Sequence, residues 1–188
     1  MRPLLLTFLA GFLFVEGKTQ SVPGIGDESF LIINTLIKDK RSHIYLYPTI
    51  HHESIATIRE LIKGGKFKQN IEDENGHDIS ESIVLTKQEL DSLLLQLDAC
   101  KTFRWTSQDL SRIQLDRLTL ITGDSTQKLY DVTIKYHILP PLFIRNGRYC
   151  IFYYDYCCGG LCGEGHLVIY KREGNEWKRW WGLYGWVS

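Results

Sequence analysis

The sequence predicts an α+β fold in which helices toward the N-terminal half pack on one face of an antiparallel β-meander that ends the chain. Two observations carry this. Before residue 100, apolar side chains recur at helical spacing, as in Ile55, Ile58, Leu61 and Ile62. After Ile113 the pattern changes to short β-branched and aromatic runs separated by turn residues. Strands that succeed one another without intervening helices exclude a doubly wound parallel sheet.

The elements follow in order. Lys18 to Gly26 (KTQSVPGIG) reads as a flexible leader, and Asp27 as the cap of a first helix carrying Phe30, Leu31, Asn34 and Ile37. His43 to Tyr47 (HIYLY) is a short strand closed by Pro48. Ser54 to Lys63 forms a second helix stopped by Gly64-Gly65. Lys66 to Glu81, with five acidic residues around Asn75-Gly76, reads as a solvated loop or hairpin tip, followed by a brief strand at Ile83 to Leu85. Thr86 and Glu89 have the spacing of a capping box, in which each side chain accepts from the other's backbone N–H. Leu90, Leu93, Leu94 and Leu97 give this third helix its apolar face, and Cys100 lies just past its end.

Strands are then expected at 118–121, 129–138 and 142–144. Asn146-Gly147 marks a hairpin, because a type I′ turn requires positive φ at both central residues. Tyr149 to Tyr156 (YCIFYYDY) is the returning strand. Leu167 to Lys171 and Trp177 to Trp181 form a last hairpin, with an edge at Tyr184 to Val187.

With 188 residues, 44% hydrophobic, the chain has the size of a single α+β domain over residues 27–188. Its 22 Lys+Arg against 22 Asp+Glu supply no excess of cations for phosphates, so no nucleic-acid partner is expected. Arg2 followed by the apolar run Leu4 to Val15 has the form of a secretory signal peptide over residues 1–17, cut after Gly17. The run is short for a membrane span, a retained anchor helix being the alternative, and no later segment approaches span length. A secreted or periplasmic location follows as the expectation.

Export makes Cys100, Cys150, Cys157, Cys158 and Cys162 disulfide candidates. Residues 156–166 read YCCGGLCGEGH between two expected strands. A Cys158–Cys162 bridge would restrict this glycine-rich turn and contribute about 2 kcal/mol. Strand alternation puts Cys150, Phe152, Tyr154 and Tyr156 on one face and Ile151, Tyr153, Asp155 and Cys157 on the other, so Cys150 and Cys157 do not pair. Cys100 with Cys150 or Cys157 is a second possible bridge. Two other readings stay open: Cys158, Cys162 and His166 as metal ligands lacking a fourth, or Cys157 or Cys158 as a thiol activated by His166. No cofactor motif is present, neither G-x-G-x-x-G nor a P-loop.

The run YCCGGLCGEG, followed by a hydrophobic strand, a basic hairpin containing Trp177-Lys178 and the closing Trp186-Val187-Ser188, resembles the C-terminal signature of a group of uncharacterised exported bacterial proteins. The resemblance covers about the last 50 residues. It implies export and a β-rich C-terminal half, and carries no activity. Cys157 is an extra cysteine relative to that signature.

His51-His52-Glu53 could ligate a metal, but adjacent residues diverge on any regular element, so no metal is assigned. Asp155 among tyrosines suits either a general acid or a structural network. Tyr154, Tyr156, Trp177, Trp181 and Trp186 are candidate ligand-binding aromatics, suited to sugars or peptides, against the alternative of a second, helix-covered sheet face or a partner subunit. The expectation is an exported, non-enzymatic domain that binds a ligand or an envelope protein. The rival is a thiol-redox or hydrolytic enzyme centred on Cys158, Cys162 and His166.

Overall fold

In the computed structural model, residues 26–37, 43–72, 78–113, 118–121, 134–158 and 162–188 are described. The expected signal peptide, most of the leader, the tip around Asn75-Gly76 and residues 129–133 of the strand expected at 129–138 lie outside them. In chain order the elements are α1 (Asp27–Ile37), β1 (Ile44–Leu46), α2 (His52–Ile62), β2 (Lys66–Glu72), β3 (Asp78–Val84), α3 (Lys87–Ala99) and α4 (Ser107–Ser111). They continue as β4 (Leu118–Leu120), β5 (Lys135–Ile138), β6 (Leu142–Ile144), β7 (Tyr149–Cys157), β8 (Gly163–Glu173) and β9 (Glu176–Val187).

The fold is α+β, but the main sheet is mixed, which corrects the purely antiparallel expectation. Its order is β4-β1-β5-β7-β8-β9, with β6 also on β7. β1 lies between β4 and β5 and runs parallel to both, while every other pairing is antiparallel. The long excursion through α2, β2, β3, α3 and α4 separates β1 from β4, and a parallel return needs such a crossover. β2 and β3 pair separately in seven-residue register, which makes the stretch read as a loop or hairpin tip a hairpin with longer arms than the brief strand expected at Ile83 to Leu85. Their polar sequence fits a hairpin with one buried side: Phe67 and Ile83 face the core, while Lys66, Lys68 and Ser82 are exposed.

Helices cover both faces of the sheet, not one. On the first face, Ile55, Ile58 and Ile62 of α2 and Leu93 and Leu97 of α3 pack with Ile151, Tyr153, Leu167 and Ile169. On the second, Phe30, Ile32 and Ile33 of α1, with Trp105 and Ile113, pack with Cys150, Phe152, Tyr154 and Val168. The cause lies in β7, which alternates between two apolar faces, so a single helical layer would leave one row in water. Burying each large side chain contributes about 1.5–3 kcal/mol.

Local chemistry fixes several joints. Thr86 and Glu89 exchange their capping bonds at the start of α3. Thr106 and Asp109 do the same at α4, a short helix that the sequence reading missed. Gln96 of α3 donates to the Phe143 carbonyl and accepts from the Phe143 N–H, both at 3.0 Å, tying α3 to β6. β5 and β6 lie along the same edge of β7, separated by Pro140-Pro141, which have no N–H for the ladder. The β6–β7 turn has positive φ at Arg145 (52°), Asn146 (54°) and Gly147 (78°), and Arg148 N–H donates to the Arg145 carbonyl; the strands pair up to Ile144 and Tyr149, so the loop is four residues long, two more than a two-residue type I′ hairpin has.

The last strand is longer than its hydrophobic pattern indicates. β9 runs unbroken through Val187 because its register on β8 shifts twice, skipping Leu183 and Trp180. Such bulges interrupt the period-two pattern without ending the strand.

Candidate functional site

Four positions align in one row across the sheet. His137 on β5 is opposite Asp155 on β7, Asp155 is opposite Gly165 on β8, and Gly165 is opposite Trp186 on β9. Opposed residues project to the same side, here the first face, because Tyr136 and Ile138 flanking His137 belong to the second.

The row holds a buried polar cluster. His137 and Asp155 are 8% and 7% exposed, with His137 Nδ1 2.7 Å from Asp155 Oδ1. Tyr153 O–H donates to Asp155 Oδ2 at 2.9 Å, and its oxygen lies 3.4 Å from Ser54 Oγ on α2. Both carboxylate oxygens therefore have a donor, which a buried charge requires. Burial, with the Asp155 charge adding to it, pushes the Tyr153 phenol up to about 12, so it remains a neutral donor; the Trp186 side chain hydrogen-bonds it in turn.

Two other rings contact His137. Tyr47 stacks on it with centroids 4.2 Å apart and planes within 5°, and His51 meets it at 4.2 Å and 56°. With Nδ1 committed to Asp155, Nε2 is the ring nitrogen left for a guest.

Glycine makes room for the fourth member. A Cβ on Gly165 would come within 2.7 Å of Trp186 Cδ1 and overlap Nε1, while one on Gly163 would lie 3.2 Å from the far edge of the same indole. The Cys-Gly-Glu-Gly run is thus the seat on which Trp186 lies.

Above the row opens a cleft of about 330 Å³ bordered by His51, Glu53, Tyr156, Cys157, Tyr184 and Trp186. Its floor can donate and accept hydrogen bonds, its β9 side is aromatic, and a thiol stands at its rim.

The other candidates disperse. Of the aromatics, Tyr154 and Trp177 are buried at 9% and 5% in the second-face core and Trp181 packs against the first-face core, while Tyr156 borders the cleft with Trp186 and donates to Glu164 at 2.6 Å. Trp186 alone among them shares the Asp155 row. His166 sits beside Glu164 (2.7 Å) and the Tyr154 ring on the second face, away from Cys157. Cys158 and Cys162 form a disulfide with Cα atoms 5.1 Å apart, whereas Cys100, Cys150 and Cys157 form none. The proposed second bridge from Cys100 fails on geometry in the case of Cys150: the two thiols are buried in the cores on opposite sides of the sheet.

Among the described residues, no three His, Cys, Asp or Glu side chains converge as metal ligands, and no helix is long and apolar enough to cross a membrane. His51 and Glu53 border the cleft at the start of α2, while His52 faces a separate hollow with Lys101 and Arg104. Sequence reasoning missed His137, whose place beside Asp155 follows only from the β5–β7 register. No family model, curated protein or solved structure matches this chain.

Proposed function

We propose that this chain is an exported ligand-binding domain of the bacterial envelope, and that its ligand is a small polar molecule with an apolar face, such as a saccharide, held in the cleft above Asp155. One observation carries this reading: Trp186 and Tyr184 border an open cleft whose floor is the buried Asp155–His137 pair. Aromatic rings stack on the C–H faces of sugars while a fixed carboxylate and imidazole take hydroxyl groups. Export is supported by the apolar run Leu4 to Val15 and by the Cys158–Cys162 disulfide.

The rival centred on Cys158, Cys162 and His166 has less support, because two of these residues are joined to each other and the third is bound to Glu164. Titrating the protein with mono- and oligosaccharides, including peptidoglycan fragments, while following tryptophan fluorescence tests the binding reading. A saturable change that disappears in Trp186→Phe is expected. No response to any saccharide, or one unchanged in that variant, would overturn it.

A further inference from the structure

Resting on the cleft as a ligand site, we propose that it also carries out acyl transfer: Cys157 attacks a bound carboxylic ester, His137 is its base, and Asp155 positions His137.

The arrangement begins with which side of the sheet each residue takes. Cys157, Asp155 and Tyr153 alternate onto the first face of β7, while His166 lies on the second, so His166 cannot serve this thiol. The imidazole on the same side is His137. Register sets Lys135 opposite Cys157 and His137 opposite Asp155, which makes Cys157 and His137 diagonal neighbours. Diagonal neighbours are roughly 7–8 Å apart along the backbone, within reach of long side chains.

His137 has the properties of an oriented base. Asp155 engages Nδ1, Tyr47 and His51 hold the ring plane, and the ring borders the cleft that Cys157 also borders. A carboxylate bound to one imidazole nitrogen fixes the tautomer in which the other accepts a proton. Cys157 in turn is the exposed thiol of the three outside the disulfide; Cys100 and Cys150 are buried. The bridge beginning at the next residue, with Cys158 N–H donating to the Cys162 carbonyl, anchors the strand end that carries Cys157.

The chemistry balances without a co-reactant other than water. His137 takes the thiol proton, sulfur bonds to the ester carbon, and the carbon–oxygen bond to the alcohol breaks as His137 returns the proton to the leaving oxygen. Water, deprotonated by His137, then attacks the thioester. The carbon–sulfur bond breaks, releasing the acid, and the proton returns to sulfur. The charged and titratable groups around Cys157 are Lys135 opposite it, Asp155, Tyr153 and Tyr156 on its own strand, His137, Tyr184 of β9, Glu53 of α2 and His51 just before that helix.

The test uses the intact, unreduced protein with p-nitrophenyl acetate. Nitrophenol release with an acetylated Cys157 in the intact mass is expected, falling roughly a hundredfold or more in Cys157→Ser and in His137→Gln. Cys157→Ser retaining the wild-type rate overturns the proposal. A His137→Gln protein that is folded by far-ultraviolet dichroism and keeps the wild-type rate overturns the base. Should that variant not fold, nitrophenol release by wild type with no acetyl group on Cys157 still overturns the proposal. Saccharide binding by Cys157→Ser separates the two readings: binding without acyl transfer in wild type overturns only the chemistry, and no binding by wild type overturns the cleft reading beneath it.

Discussion

Gly165 and Trp186 face each other across β8 and β9 so closely that a methyl group on the glycine would occupy the space of the indole nitrogen. Gly165→Ala should therefore push Trp186 off the Tyr153 hydroxyl, at a cost of about 1–3 kcal/mol. Near-ultraviolet dichroism and the denaturation midpoint measure this. Gly64→Ala is the control, since nothing lies within 4 Å of the added carbon. Equal effects at the two glycines would contradict the packing argument.

Asp155 is the acceptor for two buried donors. Asp155→Ala strands the His137 and Tyr153 protons away from water and should cost about 3 kcal/mol. Tyr153→Phe removes one donor and leaves the His137 bond, at about 1 kcal/mol. Urea unfolding of both variants checks the ranking. A cost for Asp155→Ala no larger than for Tyr153→Phe would mean that the carboxylate does not hold the cluster.

Stability should fall in alkali. Burial raises the phenols of Tyr136, Tyr153 and Tyr154 to about 12, and the Cys100 thiol also to about 12. A group whose pKa is higher folded than unfolded stabilises fully below its unfolded value and loses that contribution as pH rises through the folded one. The loss should thus begin near 9.0 for Cys100 and near 10.0 for the three tyrosines, and continue to about 12. Phenolate absorbance followed with the unfolding midpoint checks this, and tyrosines that ionise at their ordinary value in the folded protein would contradict it.

Thiol titration without reductant should divide the cysteines in two. Cys157 reacts in the native protein, and Cys100 and Cys150 react only on unfolding, because burial raises both thiols. Peptide mapping after alkylation identifies each. Native reaction at Cys150 would mean that the second-face core opens.

The sequence made local features legible and long-range ones illegible, for a physical reason. The Thr86–Glu89 cap, the Asn146-Gly147 turn and the alternation of β7 depend on neighbours within a few residues, and each is found. The parallel insertion of β1 and the His137–Asp155 pair depend on which strands meet, which no local pattern encodes; the second covered face was only an open alternative, read from the aromatics on both sides of β7. The glycines of the Cys-Gly loop are an intermediate case. Their small size was visible, but it serves an indole twenty-one residues beyond Gly165, a need that only the β8–β9 register discloses.

β7 has a neighbour along each edge, β5 and β6 on one and β8 on the other, and is covered on both faces up to Asp155. Its amide hydrogens should accordingly exchange with solvent only through opening of the whole sheet, whereas β9, bonded along one edge, can fray from its far end. The cleft spans this gradient. Its floor belongs to the slowest-opening strand and its aromatic wall to a strand that can detach locally, so a guest that clamps Trp186 would suppress the fraying of β9 in addition to the slowing that binding imposes on β7 through whole-sheet opening.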